Sequence, residues 1–152
     1  MRGTKVPPRD SVLAATAAAQ AGEALFRGLR CSTCQIESLI TAPAGTPING
    51  GTYTVPDALG NKLIHPFGDF LLHDVGTGDG IVQGGPPDTA NKLRTAPLWG
   101  LRIKSRFMHD NASVTLEDAI LRHKGEAESI TKRFGKLTAQ EKQNLFAFLN
   151  SL

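Results

Sequence analysis

The sequence predicts a mainly α-helical fold interrupted by one long glycine- and proline-rich loop insertion. Three observations carry this reading. Apolar residues recur at helical spacing near both ends of the chain. Capping residues stand in front of the two late apolar stretches. Residues 42–100 hold 11 of the 16 glycines and 7 of the 9 prolines, a density that long helices do not tolerate. With 152 residues and no boundary to mark off a second domain, residues 1–152 are expected to form a single domain.

The elements follow in order. Residues 1–10 read as flexible, with no clear signal peptide. Met1-Arg2-Gly3-Thr4-Lys5 is basic like the start of a signal peptide, but Pro7-Pro8-Arg9-Asp10 stands where its apolar stretch would lie. Residues 11–35 read as one helix, capped by Asp10 or Ser11, rich in alanine and running into Cys31 and Cys34. Within the insertion, Thr52–Val55 and Asn61–Ile64 suggest a short β-hairpin turning over Pro56–Gly60. A loop zone of this length inside a domain usually wraps something.

Residues 113–152 return to helix. Thr115 with Asp118 resembles a capping box, and Leu116, Ala119, Ile120 and His123 then share one face before Gly125. Ile130, Phe134 and Leu137 mark a short amphipathic turn. Thr138 with Glu141 is a full capping box for a last helix, with Leu145, Phe148, Leu149 and Leu152 on its buried face. The expected core contact is between this helix and the one near residue 25, with Leu25 and Phe26 against Phe148 and Leu149.

Composition removes several function classes. Hydrophobic residues at 40% and charged residues at 20% describe a folded globular chain. No apolar run approaches the roughly 18 residues of a membrane span. A net charge of +3 is too mild to argue for nucleic acid. Aromatic residues make up only 6%, with a single Trp and a single Tyr, which leaves room for a cofactor to supply flat apolar surface.

The two cysteines, Cys31 and Cys34, form one C-x-x-C. Two thiols at that spacing can join each other, share a metal, or bond a haem. Zinc lacks a second ligand pair, because His65, His73, His109 and His123 are widely spread, and no βαβ pattern supports a thioredoxin-like motif. A haem c site needs His directly after the second cysteine, and Gln35 stands there. His123, on an apolar helical face, is either a buried neutral imidazole or an iron ligand. Met108 is an alternative soft ligand. His109 and Asp110 could pair, with Asp110 orienting the ring, or could simply form a turn in which Asn111 is left-handed. Arg102, Lys104 and Arg106 alternate and would share one face if extended, where they could hold carboxylates. His65 and His73 read as structural, and Asp69 and Asp74 as turn residues.

Several segments taken together carry a resemblance. They are Gly22-Glu23-Ala24-Leu25-Phe26 before Cys31-Ser32-Thr33-Cys34; the run from His65 to Gly76; Arg94-Thr95-Ala96-Pro97-Leu98-Trp99-Gly100; Met108-His109-Asp110-Asn111-Ala112; and Ala119 to Ala127. In this order, over roughly residues 20–152, the chain resembles the C-terminal haem domain of the di-haem oxidoreductase family. That family, also called thiol oxidoreductase, is related to bacterial di-haem cytochrome c peroxidases. The resemblance implies a cytochrome c-like helical fold, covalent haem c and a periplasmic or other extracytoplasmic setting. It matches Cys31 and Cys34 to the thioether cysteines and His123 to the distal axial ligand. Arg94, Trp99, His109 and Asp110 match the haem-pocket frame.

The chain departs from the family where Gln35 replaces the proximal His, and Asn111 replaces a Gly. A Gln amide oxygen is a weak neutral ligand, and haem attachment normally requires the His. The resemblance also implies that a partner, another haem or redox protein, supplies the second haem domain. Three functions are open at this point. The first is an electron-transfer haem module. The second is a peroxidase- or thiol-oxidoreductase-like enzyme at the open haem face, with His109 as its acid–base residue. The third is a haem-free structural subunit with a Cys31–Cys34 disulfide.

Overall fold

Two helices cross at the centre of the structure, a computed structural model that describes residues 6–152. The single helix expected over residues 11–35 is broken into α1 (Ser11–Ala14) and α2 (Ala17–Gly28), followed by a 3-10 turn at Cys31–Thr33. The break has a local cause. Asp10 caps α1 by accepting from Leu13 N at 2.9 Å, whereas Thr16 is extended, donates to Leu13 O and caps α2 by accepting from Ala19 N. A threonine hydroxyl that serves both neighbours competes with the backbone ladder and stops it.

Helix α2 packs on the last helix, called α5 here (Ala139–Leu149), which the expected capping box opens: Glu141 Oε2 accepts from Thr138 N at 2.8 Å. Gly22 makes the crossing close. A Cβ added there would lie 1.9 Å from Asn144 O and 2.9 Å from Phe148 Cβ. Phe26, Phe67 and Phe148 form one aromatic cluster, with ring centroids 5.2 to 6.3 Å apart. Leu29, Leu101, Phe134, Leu145, Leu149 and Leu152 complete the buried core. The expected α5 face is therefore core throughout. Leu25 is only half-buried; Phe26 and Leu29 do the packing expected of Leu25 and Phe26.

Among the described residues, six two-residue strands form three antiparallel ladders, so the fold is mixed rather than mainly α. Strand β1 (Leu39–Ile40) pairs with β4 (Leu63–Ile64), β2 (Pro47–Ile48) with β3 (Tyr53–Thr54), and β5 (Leu72–His73) with β6 (Leu93–Arg94). The two strand segments expected to pair with each other thus each take another partner. The hairpin turn falls instead at Asn49, Gly50 and Gly51, all with positive φ, which brings Tyr53 back onto Ile48. Pro56–Gly60 closes a tight turn of its own, Gly60 N donating to Pro56 O.

Two further helices complete the chain, α3 (Leu116–Leu121) and α4 (Glu128–Phe134). Thr115 caps α3 by accepting from Asp118 N at 3.0 Å. Helix α3 ends sooner than its apolar spacing suggests, and His123 follows its C-cap, its N–H donating to Ile120 O.

Residues 6–10 are held to this core. Asp10 N donates to Ser151 O at 2.8 Å and Arg9 Nε to Ser151 Oγ at 3.2 Å. The basic stretch 1–5, the rest of the segment expected to be flexible, lies outside the described residues. Among the described residues, no helix is long and apolar enough to cross a membrane.

Candidate functional site

The C-x-x-C turn is built by the end of α2. Arg30 is left-handed (φ 71°), which turns the chain out of the helix into Cys31–Thr33. The Arg133 guanidinium of α4 donates to the α2 carbonyls of Leu29 and Gly28 and satisfies two acceptors that the helix leaves open. The loop zone then docks on the turn. Asp69 N donates to Cys34 O at 2.9 Å, Gly68 N to Ile36 O at 2.9 Å, and Leu98 N to Pro66 O at 2.9 Å. Phe67 and Phe70 hold positive φ (50° and 60°), a costly geometry for bulky residues that these tertiary contacts maintain. So the insertion wraps the thiol pair.

A cavity of about 690 Å³ opens beside that turn. This lies within the roughly 300–1,000 Å³ of small-molecule and cofactor pockets. Cys31, Cys34 and Gln35 contribute to its wall, and so do Met108, Ala119, Ile120 and His123. Phe26, Leu98, Leu101, Leu145 and Leu149 make it predominantly apolar, while Arg94, Lys104, Arg106 and His109 add polar groups.

His123 is anchored at one ring nitrogen. Its Nδ1 lies 2.7 Å from Ala119 O. A carbonyl can only accept, so Nδ1 carries the hydrogen and Nε2 keeps the lone pair. A ring nitrogen donating to a backbone carbonyl is the usual support of a metal-binding histidine. Burial lowers the pKa of His123, the Ala119 bond opposing it, so the ring is neutral near pH 7. Opposite in sequence order, Gln35 Oε1 is buried and has no hydrogen-bond partner within the protein. Leaving a buried acceptor unpaired costs about 1–3 kcal/mol.

The thiols are free in this structure. Cys31 packs against the core, which pushes its pKa up to about 11, whereas Cys34 Sγ lies 3.7 Å from His73 Nδ1.

Other expected site residues divide. Arg94, His109 and Met108 line the cavity. Trp99 does not; its ring packs on Phe70, with centroids 6.3 Å apart. Asp110 does not orient His109. Its carboxylate is taken by Arg122, through Nη1 at 3.1 Å and through Nη2, and this ion pair holds its pKa well below the carboxylate range. Asn111 is left-handed (φ 54°), as a Gly replacement requires. Arg102, Lys104 and Arg106 do not share a face, because a 3-10 turn at Leu101–Ile103 sends Arg102 to Leu152 O at 3.0 Å.

His73 is the residue that sequence reasoning missed. Expected as structural, it stands on the cavity wall beside Cys34. Its Nε2 meets Asp69 Oδ2 at 2.9 Å and its Nδ1 meets Glu126 Oε2 at 2.8 Å. Burial works against a charge on the ring, but the bonds to Glu126 and Asp69 outweigh it and raise the His73 pKa. Asp69 four residues before His73 was the one local signal; Glu126 is brought in by folding, through Glu126 N to Asp74 O and Lys124 N to Val75 O. Gly125 permits that contact with φ 51°, since a Cβ there would strike Asp74 O.

Comparison with known proteins completes the picture. One solved structure, described as "Kuenenia stuttgartiensis Hydrazine Synthase Pressurized with 20 bar Xenon", contains a chain similar in fold, with a TM-score of 0.59 and 22% identity. The likeness covers 98% of this chain and 50% of that one, so this chain spans half the length of its structural neighbour. No curated protein sequence matches it significantly. The family described as "Di-haem oxidoreductase, putative peroxidase" matches residues 2–152. The chain therefore belongs to the di-haem oxidoreductase family, and a haem redox role comes with that membership.

Proposed function

We propose that this chain is a c-type haem electron-transfer module that exchanges electrons with a partner haem or redox protein outside the cytoplasm. The observation that carries the reading is His123: a half-buried, neutral imidazole with Nδ1 committed to Ala119 O, on the wall of the same cavity as the C-x-x-C. The residues fit the cofactor. Cys31 and Cys34 would hold it by thioether bonds, the apolar wall would exclude water from its faces, and Gln35 Oε1 is an acceptor without a partner beside the thiols. Haem, when bound, supplies one-electron chemistry at iron. His123 would donate a strong nitrogen ligand and Gln35 at most a weak oxygen. Arg94, Lys104 and Arg106 would hold the propionate carboxylates.

The peroxidase-like alternative asks His109 to move protons at the open side. Its ring is exposed and Asp110 is engaged by Arg122, so the expected carboxylate partner is spent. This favours electron transfer over catalysis. The test is the absorption spectrum of the reduced and oxidised protein, with and without His123→Ala. Under this reading the wild-type protein shows a reversible redox-dependent Soret shift that the variant alters. Identical spectra for the two proteins would remove His123 from the iron.

A further inference from the structure

The C-x-x-C lacks a His directly after it, since Gln35 stands there, yet Cys34 has a histidine of its own. His73 Nδ1 lies 3.7 Å from Cys34 Sγ, and both residues stand on the cavity wall. Together with Asp69 they bring a sulfur, a ring nitrogen and a carboxylate oxygen within 4.8 Å of one another. The ring is held at both ends: Nε2 meets Asp69 Oδ2 at 2.9 Å and Nδ1 meets Glu126 Oε2 at 2.8 Å. Ionised carboxylate oxygens only accept hydrogen bonds, so each ring nitrogen carries a hydrogen and the ring is an imidazolium. Asp69 is fixed in turn by Leu71 N, which donates to Asp69 Oδ1 at 3.0 Å, and its side chain is 6% exposed. Cys31 differs. It packs against the core, and among the described residues no histidine bonds to its sulfur.

We propose that His73 relays protons for the addition of Cys34 to a vinyl group of the haem, so that this chain assists in making its own thioether bond. The inference rests on the haem reading above and adds an activity to it. Burial, with Asp69 and Glu126 nearby, pushes the Cys34 pKa up, so the sulfur is a thiol near pH 7 and must shed its proton as it bonds. Proton transfer requires the two groups to be in reach of each other, which the approach of Nδ1 to Sγ provides. The step balances. Sγ bonds to the inner vinyl carbon, Nδ1 gives its proton to the outer carbon, and the thiol proton passes to Nδ1 and restores the imidazolium. One S–H bond and the vinyl π bond break, while one S–C bond and one C–H bond form. No oxidant or reductant is consumed.

The two thiols are therefore unequal. Cys34 bonds with a proton relay beside it and Cys31 without one, so the bond to Cys34 forms first.

The test uses the full chain produced without haem, with thiols reduced, mixed with ferrous protohaem. Soret absorbance follows uptake, and intact mass after acid denaturation follows the covalent bond. Mesohaem, which carries ethyl in place of vinyl groups, is taken up without bonding. In the Cys31→Ser chain, where only Cys34 can bond, His73→Gln slows bonding by about 100-fold or more. In the Cys34→Ser chain the same substitution leaves the bonding of Cys31 unchanged. With His73 intact, the Cys31→Ser chain bonds faster than the Cys34→Ser chain, a comparison that needs no change at His73. Far-UV circular dichroism verifies that each variant is folded. Three outcomes overturn the proposal while haem uptake stands: no effect of His73→Gln in the Cys31→Ser chain, equal slowing in both chains, or equal rates with His73 intact. A wild-type chain that takes up no haem overturns it together with the haem reading.

Discussion

Phe148→Ala probes the helix crossing on which the cavity rests. Phe148 is 0% exposed, its ring centroid is 5.2 Å from that of Phe26 and 5.8 Å from that of Phe67, and the Arg9 guanidinium lies 5.3 Å from it. Truncating a buried Phe to Ala costs roughly 3–5 kcal/mol. The site cannot easily collapse, because Gly22 already brings α2 against the α5 backbone. The upper half of the range is expected, a large share of a total stability of about 5–15 kcal/mol. At about 2–4 °C per kcal/mol for a chain of this size, the melting temperature falls by roughly 8–20 °C. Thermal melts and urea titrations followed by far-UV circular dichroism measure both quantities, with Leu121→Ala, at a 46% exposed position, as the control. A loss below about 0.5 kcal/mol, the level of an ordinary surface change, would refute the reasoning.

Three other predictions follow from the same structure. Gly22→Ala places a methyl 1.9 Å from Asn144 O and destabilises by about 1–3 kcal/mol, against the stabilisation a Gly→Ala change gives in an open helix; an increase in urea midpoint would contradict the close crossing. His73 has a folded pKa raised above its unfolded value, so its contribution is fully present below about pH 6.5 and is lost as pH rises through the folded pKa. In chelator-containing buffer, the stability gap between wild type and His73→Gln therefore narrows with rising pH; a gap that widens would reverse the assignment. Gln35→His supplies a strong donor at the residue after Cys34, and a larger fraction of haem-bearing protein by absorbance is expected. An unchanged fraction would mean that this position does not limit attachment.

The helical parts were legible because their signals are local. Thr115, Thr138 and Glu141 cap where the sequence places them, and Leu145, Phe148, Leu149 and Leu152 form the buried face. The break at Thr16 was harder to read, since alanines on both sides favour one helix and only the hydroxyl's two hydrogen bonds reveal the stop. The loop zone was illegible for a physical reason. Its strands are two residues long, too short for alternation to show, and their pairing is set by turns such as Asn49–Gly51. In the site, Cys31, Cys34, Gln35 and His123 were visible as residue types in informative places. His73 was not, because its partners Cys34 and Glu126 lie 39 and 53 residues away. The His109–Asp110 pair failed for the opposite reason: adjacency suggested a bond, but Arg122 outcompetes it.

The central claim is that this chain carries haem on Cys31 and Cys34 despite Gln35. Intact-mass spectrometry tests it directly, on protein exported from cells that mature other c-type cytochromes. The account predicts the 16.2 kDa chain plus the mass of one haem, retained after denaturation. The mass of the bare chain, from cells whose other cytochromes are loaded, would contradict it.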